Sequence, residues 1–257
     1  MTATESQQAE ERSAREAAAA SAGSSEKRAY VRAMFSSIAP RYDLLNHLLS
    51  FNIDRGWRRA AIRALEWERA PSGLYLDLCA GTLDVAVELS RQPGFRGRVV
   101  GADFSEPMLR AGVAKAAGRP IHPVTADALA FPLADASCAG AIVAFGVRNL
   151  ADLDAGLREV SRVVAPGGRF VILEFSSPRV PLIRALYGFY SNRVLPRIGA
   201  WISGSRGAYR YLPESISRFA SAECLADRMR AAGFSSVNWR SLTFGVAAIH
   251  VGTKATK

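Results

Sequence analysis

The sequence predicts an α/β fold, a mostly parallel sheet covered on both faces by helices, with an antiparallel C-terminal strand and an N-terminal helical lid. From residue 74 onward, short apolar runs alternate with helical patterns of roughly 10–15 residues, which is how βαβ units read. The central runs are apolar throughout, as in strands buried on both faces. A chain of 257 residues, 49% of them hydrophobic, has material for one core of domain size.

The elements follow in order. Residues 1–25 are Ala, Ser, Glu, Gln and Arg with almost no large apolar side chains. Such a segment buries too little to offset its ordering entropy, so it reads as a disordered tail. It lacks the apolar run of a signal peptide, and its glutamates disagree with a transit peptide. Residues 26–257 read as a single domain: a helical lid over 26–70, a ligand-binding core over 71–175, a basic aromatic insertion over 176–213, and a C-terminal helix with strands over 214–257. In the lid, 30–50 and 54–69 read as helices, the second with Asp54 as N-cap. The first strand is 74–79 and leads into a helix over 85–91. The second strand, 98–102, is followed by a helix over 105–116 capped by Ser105. Residues 121–125 and 140–145 are further strands. A helix over 152–164 stops before Pro166-Gly167-Gly168, and 169–175 is again a strand. After a helix over 214–232, strands 234–239 and 243–251 are separated by only a short turn and can pair antiparallel.

In open α/β sheets, ligands bind beyond the carboxyl ends of the strands. The run Asp77-Leu-Cys-Ala-Gly-Thr82 leaves the first strand there, and Gly81 lets backbone approach a ligand. Asp103, next to Phe104, ends the second strand about 20 residues on, where an acid accepts hydrogen bonds from ribose hydroxyls. Asp127-Ala128 follows the third strand, where an acid can face an adenine amino group. Each feature alone is also an ordinary strand end; three in succession favour an adenosine ligand. A dinucleotide loop wants G-x-G-x-x-G, and this loop has Cys79 and Leu83 where two of those glycines would fall. That disfavours NAD and leaves S-adenosyl-L-methionine.

Two long motifs then carry a specific resemblance. Phe35-Ser-Ser-Ile-Ala-Pro-Arg-Tyr-Asp-Leu-Leu-Asn46, with Leu49-Ser50-Phe51 and Trp57-Arg58, resembles the N-terminal signature of the ubiquinone/menaquinone biosynthesis C-methyltransferases. Phe145-Gly-Val-Arg-Asn149 is similar to the second signature of that family, and 242–250 to its C-terminal strand. The resemblance spans roughly residues 30–254. It implies a class I S-adenosylmethionine-dependent methyltransferase (Rossmann-like) fold, with cofactor contacts from Thr82, Asp103, Asp127 and Ala128. Asp77, Gly81 and Phe104 join that candidate set. The family has a Ser just before its second motif; here that position is Ala144, so a hydroxyl contact is lost and only backbone can contribute. Leu83 stands where the family loop has a third-position Gly. The good helix that follows it places Leu83 in the right-handed conformation at the helix start.

Methyl transfer from a sulfonium to carbon has a neutral leaving group and needs no acid. The ring must be the electron-rich hydroquinol, so positioning and stabilisation of a developing phenolate are the chief tasks. Arg148 and Asn149 lie just beyond the fourth strand. A guanidinium there can stabilise a phenolate or orient a water, though it is a poor base; it can also be a structural ion pair. Tyr42 and Asp43 sit on the lid, and Asp43 is either a base or the cap of the following helix.

The net charge is +10, carried mostly by Arg, with only four Lys. Either codon bias or an anionic partner explains it. Between Phe175 and Pro213 stand six Arg (179, 184, 193, 197, 206 and 210) and no acid, interleaved with Tyr187, Phe189, Tyr190, Trp201, Tyr209 and Tyr211. This pattern fits either an ordinary cover helix or one lying in an anionic membrane surface, where a polyprenylated quinol would enter. Nucleic acid is not expected as a partner, because Phe145-Gly-Val-Arg-Asn149 stands where an Asn-Pro-Pro-Tyr-like run would. Three scattered cysteines and three histidines without ligand spacing argue for a reducing compartment and no metal. The expected location is cytoplasmic, peripheral at the inner face of the membrane; a homo-oligomer is allowed. The expected reaction converts demethylmenaquinol to menaquinol. The ubiquinone precursor, another small aromatic, or a non-catalytic adenosine-binding scaffold are the alternatives.

Overall fold

The structure, a computed structural model, describes residues 25–44, 50, 52–178, 180–190, 193 and 206–256. The expected tail over 1–25, apart from Ser25, lies outside the described residues, as do Asn46, Arg179, Arg197 and Trp201.

Seven strands form one sheet in the order β3-β2-β1-β4-β5-β7-β6. They are β1 (Leu74–Leu78), β2 (Arg98–Asp103), β3 (Ile121–Thr125), β4 (Cys138–Ala144), β5 (Val164–Phe175), β6 (Phe234–Leu242) and β7 (Ala247–Lys254). The first five run parallel, while β7 lies antiparallel to both β5 and β6. The expected fold class is therefore present, with the antiparallel strand inserted between two others. The apolar central runs explain this: Leu76, Leu78, Ala141, Val143, Phe170 and Ile172 face one buried layer, and Tyr75, Ile142, Val171 and Leu173 face the other.

The helices are α1 (Ser25–Ile38), α2 (Ile53–Leu65), α3 (Asp84–Ser90), α4 (Glu106–Ala116), α5 (Leu153–Val163), α6 (Pro181–Phe189), α7 (Arg206–Arg218) and α8 (Ala222–Ala231). Several boundaries differ from the sequence reading. The helix expected over 30–50 ends at Ile38 and gives way to a 3-10 turn over Ala39–Arg41. Pro40 has no N–H to continue the α-helical hydrogen bonds and stands in the first positions of the 3-10 turn instead. The helix expected over 214–232 is two, because Ser221 starts a new one by accepting the Cys224 N–H through its hydroxyl. Asp54 is in the first turn of α2 rather than its cap; it accepts the Ser50 hydroxyl at 2.7 Å and pairs with Arg58. Ser105 holds the N-cap place of α4 but makes no capping bond, since its Oγ meets Ser36 Oγ at 3.1 Å.

α1 docks on the carboxyl side of the sheet. Val31, Met34 and Ile38, spaced three and four apart, bury against Tyr211 of α7, with Phe104 at the edge. The lid and the end of the insertion thus share one small apolar cluster.

Candidate active site

The strand order reverses between β1 and β4, and an open cleft of about 480 Å³ lies at that point. Asp103, Phe104, Asp127, Ala128 and Asn149 line it together with Cys79 and Arg28. Five of the twelve expected site residues therefore meet in one place. Three of the eight non-glycine residues with positive φ among the described residues stand beside it. Cys79 (φ 53°), Leu83 (φ 67°) and Phe145 (φ 62°) are non-glycine residues in the left-handed region, all just beyond the carboxyl ends of β1 or β4. Each such residue costs about 1–3 kcal/mol and persists only where the surroundings impose it.

Leu83 corrects the sequence reading, which placed it in the right-handed region. The Leu83 N–H donates to the Ala80 carbonyl at 2.8 Å and closes a turn, while its own carbonyl accepts Val87 N–H as α3 begins. A left-handed residue joins the two. The side chain is fully buried and fills the space above Gly101, where an added Cβ would come within 2.4 Å of Leu83 Cδ2.

Asp103 is held from two sides. Its Oδ2 accepts Gly81 N–H at 2.9 Å and its Oδ1 accepts Ser105 N–H at 2.8 Å. Burial raises its pKa against the opposing pull of those donors. With Phe104 N–H as a third donor, the carboxylate keeps part of its acceptor capacity at the cleft that it lines. Gly81 has φ 53°, and Tyr42 lies 3.9 Å from where a Cβ would sit, so the lid rests on this loop. Asp127 Oδ1 accepts Leu129 N–H at 3.1 Å, and Oδ2 pairs with Arg28 of α1 at 2.5 Å.

Other expected residues stand behind the cleft. Asp77 is buried at the end of β1 and accepts Ala86 N–H at 3.0 Å, which ties α3 to the strand. Burial pushes its pKa up to about 8. Thr82 is buried and donates its hydroxyl to Asp43 Oδ1 at 2.5 Å. Asp43 Oδ2 accepts Lys115 Nζ at 2.7 Å, so Asp43 fastens the lid to the core. Ala144 packs at the edge of the core without lining the cleft.

Arg148 is buried and paired with Glu174, Nη1 to Oε1 at 2.8 Å. The ion pair that the sequence allowed is present. Nη1 also donates to the Phe145 carbonyl at 2.5 Å, and Nε to Ser215 Oγ at 3.4 Å. Nη2 makes no hydrogen bond among the described residues. The guanidinium carbon lies 5.4 Å from the Phe175 ring centre. Trp57, Phe145 and Phe175 cluster there, the last two rings 4.5 Å apart. Tyr211 donates its hydroxyl to Asn149 Oδ1 at 3.1 Å.

Sequence reasoning missed Glu174, Arg28, Ser215 and Lys115. Glu174 did carry a signal, as the lone acid in the apolar run Phe170–Phe175; such acids are rarely buried unless paired. The others are ordinary surface-type residues in sequence.

Residues 23–254 match the ubiE/COQ5 methyltransferase family. The chain belongs to this family. A demethylmenaquinone methyltransferase of Thermus thermophilus is 52% identical, covering 86% of this chain and 100% of its own. A ubiquinone/menaquinone biosynthesis C-methyltransferase of Geobacter sulfurreducens is 46% identical, covering 90% and 91%. Among solved structures, a SAM-dependent methyltransferase of Thermotoga maritima superposes with a TM-score of 0.59 at 20% identity, covering 86% and 98%. The [4+2]-cyclase SpnF does so with 0.58 at 16%, covering 78% and 81%. These two likenesses carry the fold alone, since one fold hosts different chemistries.

Proposed function

We propose that this ubiE/COQ5 family member methylates a ring carbon of a polyprenylated hydroquinone with S-adenosyl-L-methionine, converting demethylmenaquinol to menaquinol. The observation that carries this reading is the turn after β4. It puts Asn149 in the wall of the cleft that Asp103 and Asp127 line, and leaves Arg148 Nη2 without a hydrogen bond among the described residues.

The cleft fits the cofactor chemically. Two carboxylates stand at successive strand ends, Phe104 and Ala128 supply apolar surface, and the loop has one glycine at the ligand rather than the three a pyrophosphate needs. When bound, S-adenosylmethionine supplies an electrophilic methyl group on a cationic sulfur. Asp103 takes the ribose hydroxyls and Asp127 the adenine edge. Arg148 Nη2 stabilises the phenolate oxygen of the quinol, and Trp57, Phe145 and Phe175 supply apolar surface beside the guanidinium. Held by these residues, the cofactor would supply its methyl group to the ring carbon, the electron pair of the methyl–sulfur bond remaining on sulfur. The ring carbon then loses its proton to water and regains aromaticity.

The substrate's tail calls for a lipid neighbour. No helix among the described residues is long and apolar enough to cross a membrane. α6 instead shows an apolar stripe at Leu182, Leu186 and Phe189, spaced four and three apart, with Leu182 68% and Phe189 62% exposed. Beside six Arg and no acid over 176–213, this stripe suits peripheral contact with an anionic membrane face. The lid, core, insertion and C-terminal segments then act as one domain with the insertion at the lipid.

Parallel assays with labelled cofactor, reduced demethylmenaquinol and the reduced benzoquinol precursor of ubiquinone test the substrate. Faster transfer to the naphthoquinol supports this reading, and preference for the benzoquinol moves the chain to the other pathway. Transfer to neither, with cofactor bound, overturns it.

A further inference from the structure

The Arg148–Glu174 pair is an expensive arrangement if stability is its only purpose. Glu174 and Arg148 are both buried, and taking two charges out of water carries a desolvation cost that apolar residues of similar volume would avoid. The geometry shows what the pair does instead. Glu174 Oε1 accepts Arg148 Nη1 at 2.8 Å and Phe175 N–H at 2.9 Å, while Oε2 faces Arg148 N–H at 3.3 Å. One carboxylate thus joins the end of β5 to both backbone and side chain of the turn after β4. With the Phe145 carbonyl and Ser215 also engaged, Nε and Nη1 are committed to protein, and Nη2 has no hydrogen bond among the described residues.

Asn149 has a matching device. Tyr211 is buried on α7, and its hydroxyl donates to Oδ1. Burial pushes its pKa up to about 12, so it stays a donor throughout the neutral range. That bond holds Oδ1, while Nδ2 donates to the Phe145 carbonyl at 3.5 Å. Tyr211 and Ser215 are one helical turn apart and address adjacent residues, Asn149 and Arg148.

We infer that Glu174 and Tyr211 are positioning residues for methyl transfer, Glu174 acting through Arg148 and Tyr211 through Asn149. The inference rests on the reading of Arg148 as the group that meets the quinol oxygen. It adds that the helix closing the basic aromatic insertion, α7, helps set the geometry of both.

Steady-state kinetics with reduced demethylmenaquinol, and calorimetry with S-adenosylmethionine, test this on Arg148→Gln, Glu174→Gln, their double variant and Tyr211→Phe. Glu174→Gln and Tyr211→Phe are each expected to lower kcat about 10–100-fold, with cofactor affinity within about twofold of wild type. The double variant is expected to be no slower than Arg148→Gln alone. Near-normal kcat in Arg148→Gln would refute the reading of Arg148, and this inference with it. A slow Arg148→Gln beside normal Glu174→Gln and Tyr211→Phe overturns this inference alone. Equal losses of kcat and cofactor affinity in Glu174→Gln mark a role in the fold only and also overturn it. Tyr211→Phe keeps the ring packing, so it decides the matter if Glu174→Gln does not fold.

Discussion

At Leu83, two effects of similar size oppose each other. A left-handed conformation costs a non-glycine residue about 1–2 kcal/mol. Removing a buried Leu side chain costs about 2–5 kcal/mol, because a cavity remains. Leu83→Gly therefore lowers the unfolding free energy by about 2 kcal/mol in urea denaturation, although it relieves strain. Gly101→Ala is expected to destabilise by about 1–3 kcal/mol through its approach to Leu83 Cδ2, and by less in a Leu83→Ala background. Equal effects in both backgrounds would contradict the packing account. Asp77 makes a second prediction at this scale. Its folded pKa of about 8 lies above its ordinary value of 3.8, so the folded state binds the proton more tightly. The stability this lends is complete below pH 4 and is lost as pH rises through 8. Asp77→Asn should flatten that decline between pH 5 and pH 8; an unchanged slope of denaturation midpoint against pH would refute it. The acids at the strand ends were legible in sequence because strand ends are where ligands bind. Which of them face the ligand was not legible. Asp77 and Asp103 each end a strand, yet one turns to α3 and the other to the cleft.

At the scale of elements, the lid is tied down by polar links that cross from α1 and the residues after it to the core. Lys27 Nζ donates to the Arg148 and Leu150 carbonyls at 3.1 and 2.9 Å. Burial, with the charge of Arg148, lowers the Lys27 pKa. Asp43 bonds Thr82 and Lys115, and Lys115 also meets Asp84 at 2.5 Å, which pairs with Arg58. Asp43→Ala removes the central acceptor, so amide exchange over residues 25–44 should accelerate while β1 and β4 keep their protection. Unchanged lid exchange would show that apolar docking alone holds it. α6 has the opposite character, with no buried residue among those described in it. Leu182→Ser with Phe189→Ser should weaken binding to vesicles containing phosphatidylglycerol about tenfold or more, without changing the thermal midpoint. A lower midpoint with unchanged vesicle binding would make α6 a cover helix. The breaks at Pro40 and Ser221 were written in residue types, but the helical pattern around each masked them.

For the whole molecule, apolar runs marked the central strands, because burial on two faces leaves them apolar, and the short turn between the last two strands marked an antiparallel pair; the insertion of β7 between β5 and β6 was not legible. The tertiary pairings that assemble the site were not readable. Arg28 reaches Asp127 across 99 positions of chain, and Arg148 finds Glu174 and Ser215 from three separate elements. No local pattern specifies such meetings. The central claim is that the cleft methylates carbon on a reduced quinol ring. The most direct test incubates the protein anaerobically with isotopically labelled S-adenosylmethionine and demethylmenaquinone, once reduced and once oxidised, and locates the label by mass spectrometry. The account predicts label on a ring carbon of the reduced form and none on the oxidised form. Label on oxygen, or equal labelling of both forms, would contradict it.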